Sequence, residues 1–446
     1  MMGSISKRTT SRCWPDRRTW PKVRGRSSRS GHQFSQADEV TAGSCAGQFA
    51  VTVTAPLPSA FADETSGSVT LETISLREFR NLARVTLDVP REGMAIVGDN
   101  GHGKTNLLEA IYYLQLLRSV RGARDQDVVR FGAPGFHIAA DAVVGRPRVL
   151  TAAFQRAGKR KRVTVDGAEP TRLSDALGSL PSVMFSPRDV ELVAGAPSER
   201  RRFLDVALAL TSRRYLAALQ QYRAALVRRN AALRDAARKG EAGGIPRAAV
   251  WEPALAEHGA LLWAARVAWV ERVADDFTRL CASIGERGTA RMRYATTSST
   301  AAAARSGVST VDLAGLLAGS LEAHRAVDLR RGLTHVGPHR DDLELTLDGH
   351  QLRAFGSAGQ QRTASIALRL LEAATLRGAG SAPLVLLDDP FAELDATRAA
   401  RILELLGTSG VAHQTILAVP RSMDIPSEMT SLPRYRIVDG QIGELR

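Results

Sequence analysis

Val69 to Ile74 mixes β-branched and apolar residues with polar ones, and Ala83 to Val89 alternates apolar and polar with a period of two, so two short strands are predicted, ending at Pro90. Met94 to Val97 is an unbroken apolar run, as a buried strand requires. Directly after a glycine-rich turn, Leu107, Leu108, Ile111 and Leu114 fall at helical spacing, so the local order is strand, loop, helix. A longer helical pattern runs from Arg213 to Lys239, with Leu219, Leu226 and Leu233 seven apart and Tyr215 and Tyr222 beside them. After a break at Gly240 to Pro246, a second pattern from about Trp251 to Ile284 is predicted to return antiparallel, which makes an inserted helical lobe. Residues 289 to 318 carry no assignable period. Gly349 predicts a hairpin-like turn between Leu343 to Leu347 and Gln351 to Phe355. Strands at Leu384 to Leu387 and near Gln414 to Val419 are expected to finish the sheet, and no internal repeat is present.

Composition narrows the partners. With 446 residues, 44% of them hydrophobic, the chain can bury the cores of two or three domains. Its formal charge of +14 favours a polyanionic partner: DNA, RNA or an anionic membrane surface. Residues 1 to 68 are rich in Ser, Arg, Gly and Thr and are expected to be a disordered basic extension. That extension reads either as a DNA-binding or targeting arm or as a dispensable, mis-assigned leader. It holds nine Lys or Arg and five acids, so +4 lies there and +10 stays with the rest. The apolar stretch Phe49 to Pro58 comes too late for an ordinary secretory signal. No membrane span is expected, because Leu261 to Val270 contains Arg266 and ends at Glu271. Cys13, Cys45 and Cys281 have no paired spacing, which suits a reducing cytoplasm.

The chemistry is concentrated in three motifs. Gly98-Asp99-Asn100-Gly101-His102-Gly103-Lys104-Thr105 fits the phosphate-loop pattern in its required strand-loop-helix context. Glycines let backbone N–H groups close on a phosphate at the positive end of a helix. Lys104 is expected to reach the β- and γ-phosphates of ATP or GTP, and Thr105 to place its hydroxyl on Mg²⁺, with Asn100, Gly101 and His102 lining the turn. Asp388 and Asp389 end an apolar strand, where ligands of parallel sheets gather. Asp388 is expected to hold Mg²⁺ largely through water, and Asp389 to orient or deprotonate the attacking water. Glu393 and Asp395 follow, as helix caps or as contacts to a partner subunit. Ser357, Gly359 and Gln360 precede an amphipathic helix containing Ile366, Leu370 and Ala373, a second anion-ready helix start. One nucleotide rarely needs two such starts from one chain, so the economical arrangement sandwiches ATP between the loop of one subunit and Ser357 of another.

These segments, GDNGHGKTN, FSPRDVELVAGAPSERRRFLD, HVGPHRDDLEL, GSAGQQRTA and LLDDPFAELD, together resemble the RecF family across residues 69 to 446. The resemblance implies an α/β ATPase head of the ABC type, similar to those of SMC and Rad50 but without their long coiled coils. It divides the chain into 69–185 and 330–446 as the two parts of the ATPase lobe, with 186–329 as the helical lobe. It implies a bacterial cytoplasmic protein that binds ATP and Mg²⁺, forms an ATP-dependent homodimer on single-stranded or gapped DNA and hydrolyses ATP slowly. RecO and RecR are the implied partners in loading RecA, within DNA repair and the SOS response. It also puts Arg80, in Phe79-Arg80-Asn81, near the nucleotide. Two departures accompany it: Ala418, Val419 and Pro420 stand where transporter ATPases carry a switch histidine, and Phe185-Ser186-Pro187-Arg188 stands where a glutamine sensor is usual.

Arg200, Arg201 and Arg202 begin a predicted helix of the lobe and cannot share one face. With Arg213, Arg214, Arg223, Arg228, Arg229, Arg234 and Arg238 they form a candidate phosphate-contact surface, Arg201, Arg214, Arg228 and Arg229 being the expected DNA contacts. Aromatic residues are only 5% of the chain and are not interleaved with these bases, so backbone clamping is favoured over stacking. His335, His339, Asp341 and Asp342 invite a metal reading, but structural use is the expectation. Two rival functions stay open. One is a DNA clamp that uses ATP only as dimer glue. The other is a soluble ABC-type ATPase of phage defence with an added nuclease domain, for which the 51 residues after Asp395 leave no room.

Overall fold

The computed structural model describes residues 67–239, 244–296, 307–391, 394–408 and 414–445, all within one unit, Pro56–Arg446. The extension expected to be disordered lies outside the described residues up to 66, whereas Gly67 and Ser68 already begin β1 (Gly67–Phe79). This strand runs past the expected Ile74 to Phe79, and a register shift between Leu71 and Thr73 resets its period, so that Leu71 and then Ile74 both face inward. It pairs antiparallel with β2 (Leu82–Asp88), and the next strand, β3 (Gly93–Val97), leaves for a second sheet. After helix α1 (Lys104–Leu116) and the single turn α2 (Asp125–Val128), β4 (Gly135–Val144), β5 (Arg146–Gln155) and β6 (Arg160–Val165) complete an antiparallel lobe in the order β2-β1-β4-β5-β6.

The helical lobe follows β7 (Ser182–Phe185). The short α3 (Glu191–Ala194) and α4 (Pro197–Thr211) lead into α5 (Arg213–Lys239), whose bounds are those of the leucine pattern. The short α6 (Gly244–Ala249) occupies part of the expected break, and α7 (Glu252–Ile284) packs along α5. The stretch without a period resolves at its ends into β8 (Ala290–Ala295) and α8 (Thr310–Arg331). In α8 only Leu313, Leu317 and Leu321 form a buried line among alanines, glycines and charges, too thin a stripe to read.

The expected hairpin at Gly349 is half right. β9 (Asp342–Leu347) pairs with a two-residue β10 (His350–Gln351), but Leu352–Phe355 is a helical turn, α9, because its backbone leads into the cap of α10 (Ala358–Gly378). Beyond β11 (Ser381–Ala382), β12 (Leu384–Asp388), α11 (Ala396–Thr408) and β13 (Thr415–Val419), the sheet does not finish at Val419 as expected. β14 (Arg434–Val438) adds parallel to β3, and β15 (Gln441–Glu444) closes the edge, giving the order β15-β14-β3-β13-β12-β7.

That second sheet divides the interior. Successive side chains of a strand point to opposite faces, so Ala95, Val97, Val385, Leu387, Leu417 and Val419 join the core beneath α10 and the helical lobe. Met94, Ile96, Leu384, Leu386, Ile416 and Ala418 join the core shared with α1 and the antiparallel lobe. Continuous apolar runs such as Leu384–Leu387 follow from burial on both faces.

Candidate nucleotide site

The loop between β3 and α1 is shaped by its glycines. A Cβ at Gly98 would lie 2.4 Å from the carbonyl oxygen of Ile437, and Gly103, the N-cap of α1, has φ 113°, a left-handed value costly to an L side chain. Orphan N–H groups of the first turn of α1 therefore open onto the loop. Lys104 curls over it, donating to Gly98 O and, at 3.0 Å, to Asp99 O. Burial holds its ammonium below the usual lysine value, against the pull of Asp388, Asp389 and Asp99.

Asp388 ends β12 and accepts a hydrogen bond from Thr105 Oγ1 at 2.9 Å, across 283 positions of sequence. Burial raises its carboxyl above the usual aspartate value, the Thr105 hydrogen bond opposing. A hydroxyl and a buried carboxylate side by side are hard oxygen donors of the kind Mg²⁺ takes, so these residues fit that ion. Asp389 has φ 46° and is fixed by its N–H to Ala418 O at 2.9 Å. Its carboxyl too is raised by burial, with Lys104 opposing.

Residues missed by sequence reasoning hold the loop in place. Asn81 donates to His102 O at 3.0 Å and accepts from Asn106 Nδ2 at 2.8 Å. The β14–β15 turn clamps the other side: Asp439 N–H donates to His102 Nδ1 at 2.9 Å and Gly440 N–H to His102 O at 3.0 Å. Asn81 sat beside a residue already singled out, and the Asp439-Gly440 turn was the available signal for the hairpin. Arg80, expected near the nucleotide, forks onto fully buried Glu109 of α1 with two 3.0 Å bonds and donates to Asp127 O.

Ser357 caps α10 in a reciprocal capping box: its N–H donates to Gln360 Oε1 at 2.9 Å and its Oγ accepts from Gln360 N–H at 3.3 Å. Gly359 O accepts from Arg398. From the same helix Arg362 reaches Ser186 O at 2.6 Å and Pro390 O at 2.9 Å, tying the stretch after β7 to the one after Asp389. Thr105, Asp388, Arg121, Ser186 and Arg188 line a cavity of about 710 Å³. Ser357, Gln360, Asp395 and Arg398 line a different one, of about 850 Å³, with no lining residue in common. Asp395 caps α11 by accepting from Arg398 N–H at 2.9 Å, and Glu393 lies outside the described residues.

The arginines of the helical lobe separate into two kinds. Arg214 and Arg228 are exposed, the latter stacked 4.9 Å over Trp251. Arg229 corrects the expectation of a DNA contact: it is fully buried, bound to Asp328 at 2.7 Å and Glu252 at 2.9 Å, because it lies on the face of α5 packed against α7 and α8. Arg200 forks onto Asp342, while half-buried Arg201 donates to Asp341 O at 2.7 Å and Arg202 to Val120 O at 3.1 Å. This run of three staples elements together before it can offer charge to DNA.

His335 binds Asp328, and His339 accepts or donates between Tyr222 Oη at 2.6 Å and Thr334 O at 3.1 Å. Among the described residues no group of three or more His, Cys, Asp or Glu is arranged to hold a metal. Burial, more than any neighbour, pushes the His339 imidazole down to about 4. A lowered histidine contributes stability that is full above about pH 6.5 and is lost as pH falls through the folded value. Thermal melting from neutral pH to about 4 should therefore fall less steeply in His339→Gln than in the unaltered chain.

Comparison with known proteins agrees with this geometry. The family model described as RecF/RecN/SMC N terminal domain matches residues 70–430. "DNA replication and repair protein RecF" of Chloroflexus aurantiacus is 36% identical over 392 residues, covering 82% of this chain and 97% of that protein. The protein of the same description from Frankia alni is 35% identical over 373 residues, covering 83% and 98%. Among solved structures, the recombination mediator protein RecF-ATP in the RecFOR pathway superposes with a TM-score of 0.76 at 26% identity, covering 86% of this chain and all of that one. Among the described residues no helix is long and apolar enough to cross a membrane. The α/β head of the ABC ATPase type with an inserted helical lobe is thus established, and the chain belongs to the RecF family of DNA replication and repair proteins.

Proposed function

We propose that this chain is an ATP-gated DNA-binding protein of recombinational repair and replication-gap processing. Gly98 to Thr105 hold the phosphates of ATP, and Thr105 with Asp388 holds Mg²⁺. The observation that carries this is the 2.9 Å bond between Thr105 and Asp388, which brings the two motifs to one point beside the loop. Asp389, just past the C-terminal end of β12 with a carboxyl raised by burial, is the base that orients and deprotonates the attacking water, and turnover is slow. Mg²⁺, when bound, offsets charge on the phosphates.

Because Ser357 and Gln360 line a different cavity from Thr105 and Asp388, the nucleotide is completed by a second copy of the chain, and ATP drives a homodimer that closes on single-stranded or gapped DNA. By family, RecR and RecO are the cytoplasmic partners with which it loads recombinase at gaps, within the SOS response.

Mixing two defective chains tests the composite site. Ser357→Arg should block ATP-dependent dimerisation in sedimentation, as should Lys104→Ala. An equimolar mixture should recover about one working site per mixed dimer, with DNA binding. Recovery in neither sedimentation nor DNA binding would show that each chain completes its own site.

A further inference from the structure

The antiparallel lobe buries one face against α1 and turns the other outward. On that outer face the strand registers align one row across all five strands: Arg84 opposite Arg77, then His137, Ala153 and Arg162. At about 4.8 Å per strand the row spans about 19 Å. The next row inward is flat and small, with Thr86, Ser75, Ala139, Thr151 and Thr164. Like charges directly opposite on neighbouring strands destabilise a sheet. Arg77 and Arg84 are both exposed, and among the described residues neither has an ion-pair partner. Arg162 has one, Glu169.

Just beyond the row, two turns meet. Arg156 N–H donates to Pro134 O at 2.8 Å, and its guanidinium reaches Val129 O at 3.4 Å, which sets the β5–β6 turn against the turn Arg130–Ala133. The second turn carries Phe131, which is 101% exposed, while Lys159 and Arg160 are exposed on the first. The expectation of backbone clamping concerned the arginines of the helical lobe, whereas Phe131 lies on the antiparallel lobe beside Arg130. The same end of the lobe carries Asn81, which braces the phosphate loop.

The geometry points to this end of the β-lobe as a single-stranded nucleic-acid surface, with phosphates on the Arg77–Arg84 row and the Lys159–Arg160 turn and an unpaired base stacked on Phe131. A sugar-phosphate chain removes the repulsion that the arginine row imposes, and the ring needs a base face that a duplex keeps covered. An acidic protein segment would satisfy the charges but offers planar side chains only sparsely, whereas every nucleotide of a single strand carries one. This inference rests on the DNA-binding reading above.

The test uses the full chain with ATP and Mg²⁺ and a single-stranded oligonucleotide carrying 2-aminopurine. Phe131→Ala should weaken binding roughly tenfold or more and abolish the fluorescence change on binding. Arg77→Gln with Arg84→Gln should lower the slope of log affinity against log salt by roughly 1.4, about 0.7 for each phosphate no longer neutralised. Its melting temperature should not fall, since a repulsive pair is removed, whereas a structural role for these arginines would lower it. ATP binding should persist in both variants. If the unaltered chain binds no DNA, the functional reading itself fails and takes this surface with it. If it binds and the variants match it in affinity, slope and fluorescence, only this surface is overturned. An effect of the arginines without one of Phe131 overturns the stacking and keeps the phosphate row.

Discussion

Arg229→Ala is expected to lower the unfolding free energy by about 3–5 kcal/mol, read as a fall in urea midpoint at unchanged slope. The guanidinium is fully buried and is shared between Asp328, which also binds His335, and Glu252, which also binds Arg325. Removing it leaves Asp328 to His335 and Glu252 to Arg325, so each buried carboxylate loses a charge-assisted bond in a low dielectric, and that loss outweighs the missing packing. Arg229→Met, which restores most of the volume, should rescue little. Exposed Arg214→Ala supplies the contrast, within about 0.5 kcal/mol of the unaltered chain. On DNA the order reverses: Arg214→Ala should weaken binding and reduce its salt dependence, and the folded fraction of Arg229→Ala should bind as before.

Lys104→Ala and Asp389→Asn should separate binding from turnover. On the proposed reading Lys104 supplies charged hydrogen bonds of about 1.5–3 kcal/mol each to the phosphates, so its loss should weaken ATP about a hundredfold or more and abolish both the dimer and ATP-dependent DNA binding. Asp389→Asn keeps the shape but removes the proposed base. It should hold a DNA-bound dimer while phosphate release falls about 10²- to 10⁴-fold. If the unaltered chain itself releases no phosphate yet dimerises, ATP is only the glue of the dimer. If all three bind DNA equally without ATP, the gating fails. ATP affinity should also decline with rising pH below the ordinary lysine value, because burial lowers the Lys104 ammonium and the charge that binds phosphate is lost as it deprotonates.

How much of the site could be read in advance follows from how its residues are connected. The loop from Gly98 to Thr105 was legible because backbone geometry there is local: glycine torsions, a helix start and a lysine all lie within eight positions. The pairing of Thr105 with Asp388 was expected only as two halves, and the bond between them spans most of the chain. The clamps at Asn81 and Asp439 left only indirect signals, an asparagine beside Arg80 and an Asp-Gly turn, since each bond to His102 has a backbone group at one end and such groups leave no signature in residue type.

By itself the sequence determined the family, the strand-loop-helix around the glycine loop and the bounds of α5, because glycine torsion, charge and the 3.6 period act within a few residues. Only the tertiary structure decided which cations are available. Arg229 and Arg214 are the same residue type on one helix, yet packing against α7 and α8 buries the first and leaves the second in water. Likewise Arg77 and Arg84 became cross-strand neighbours, and the turns that carry Phe131 and Lys159 came together, through strand register and turn contacts, which are set by pairing across the sheet and by no local preference of the chain.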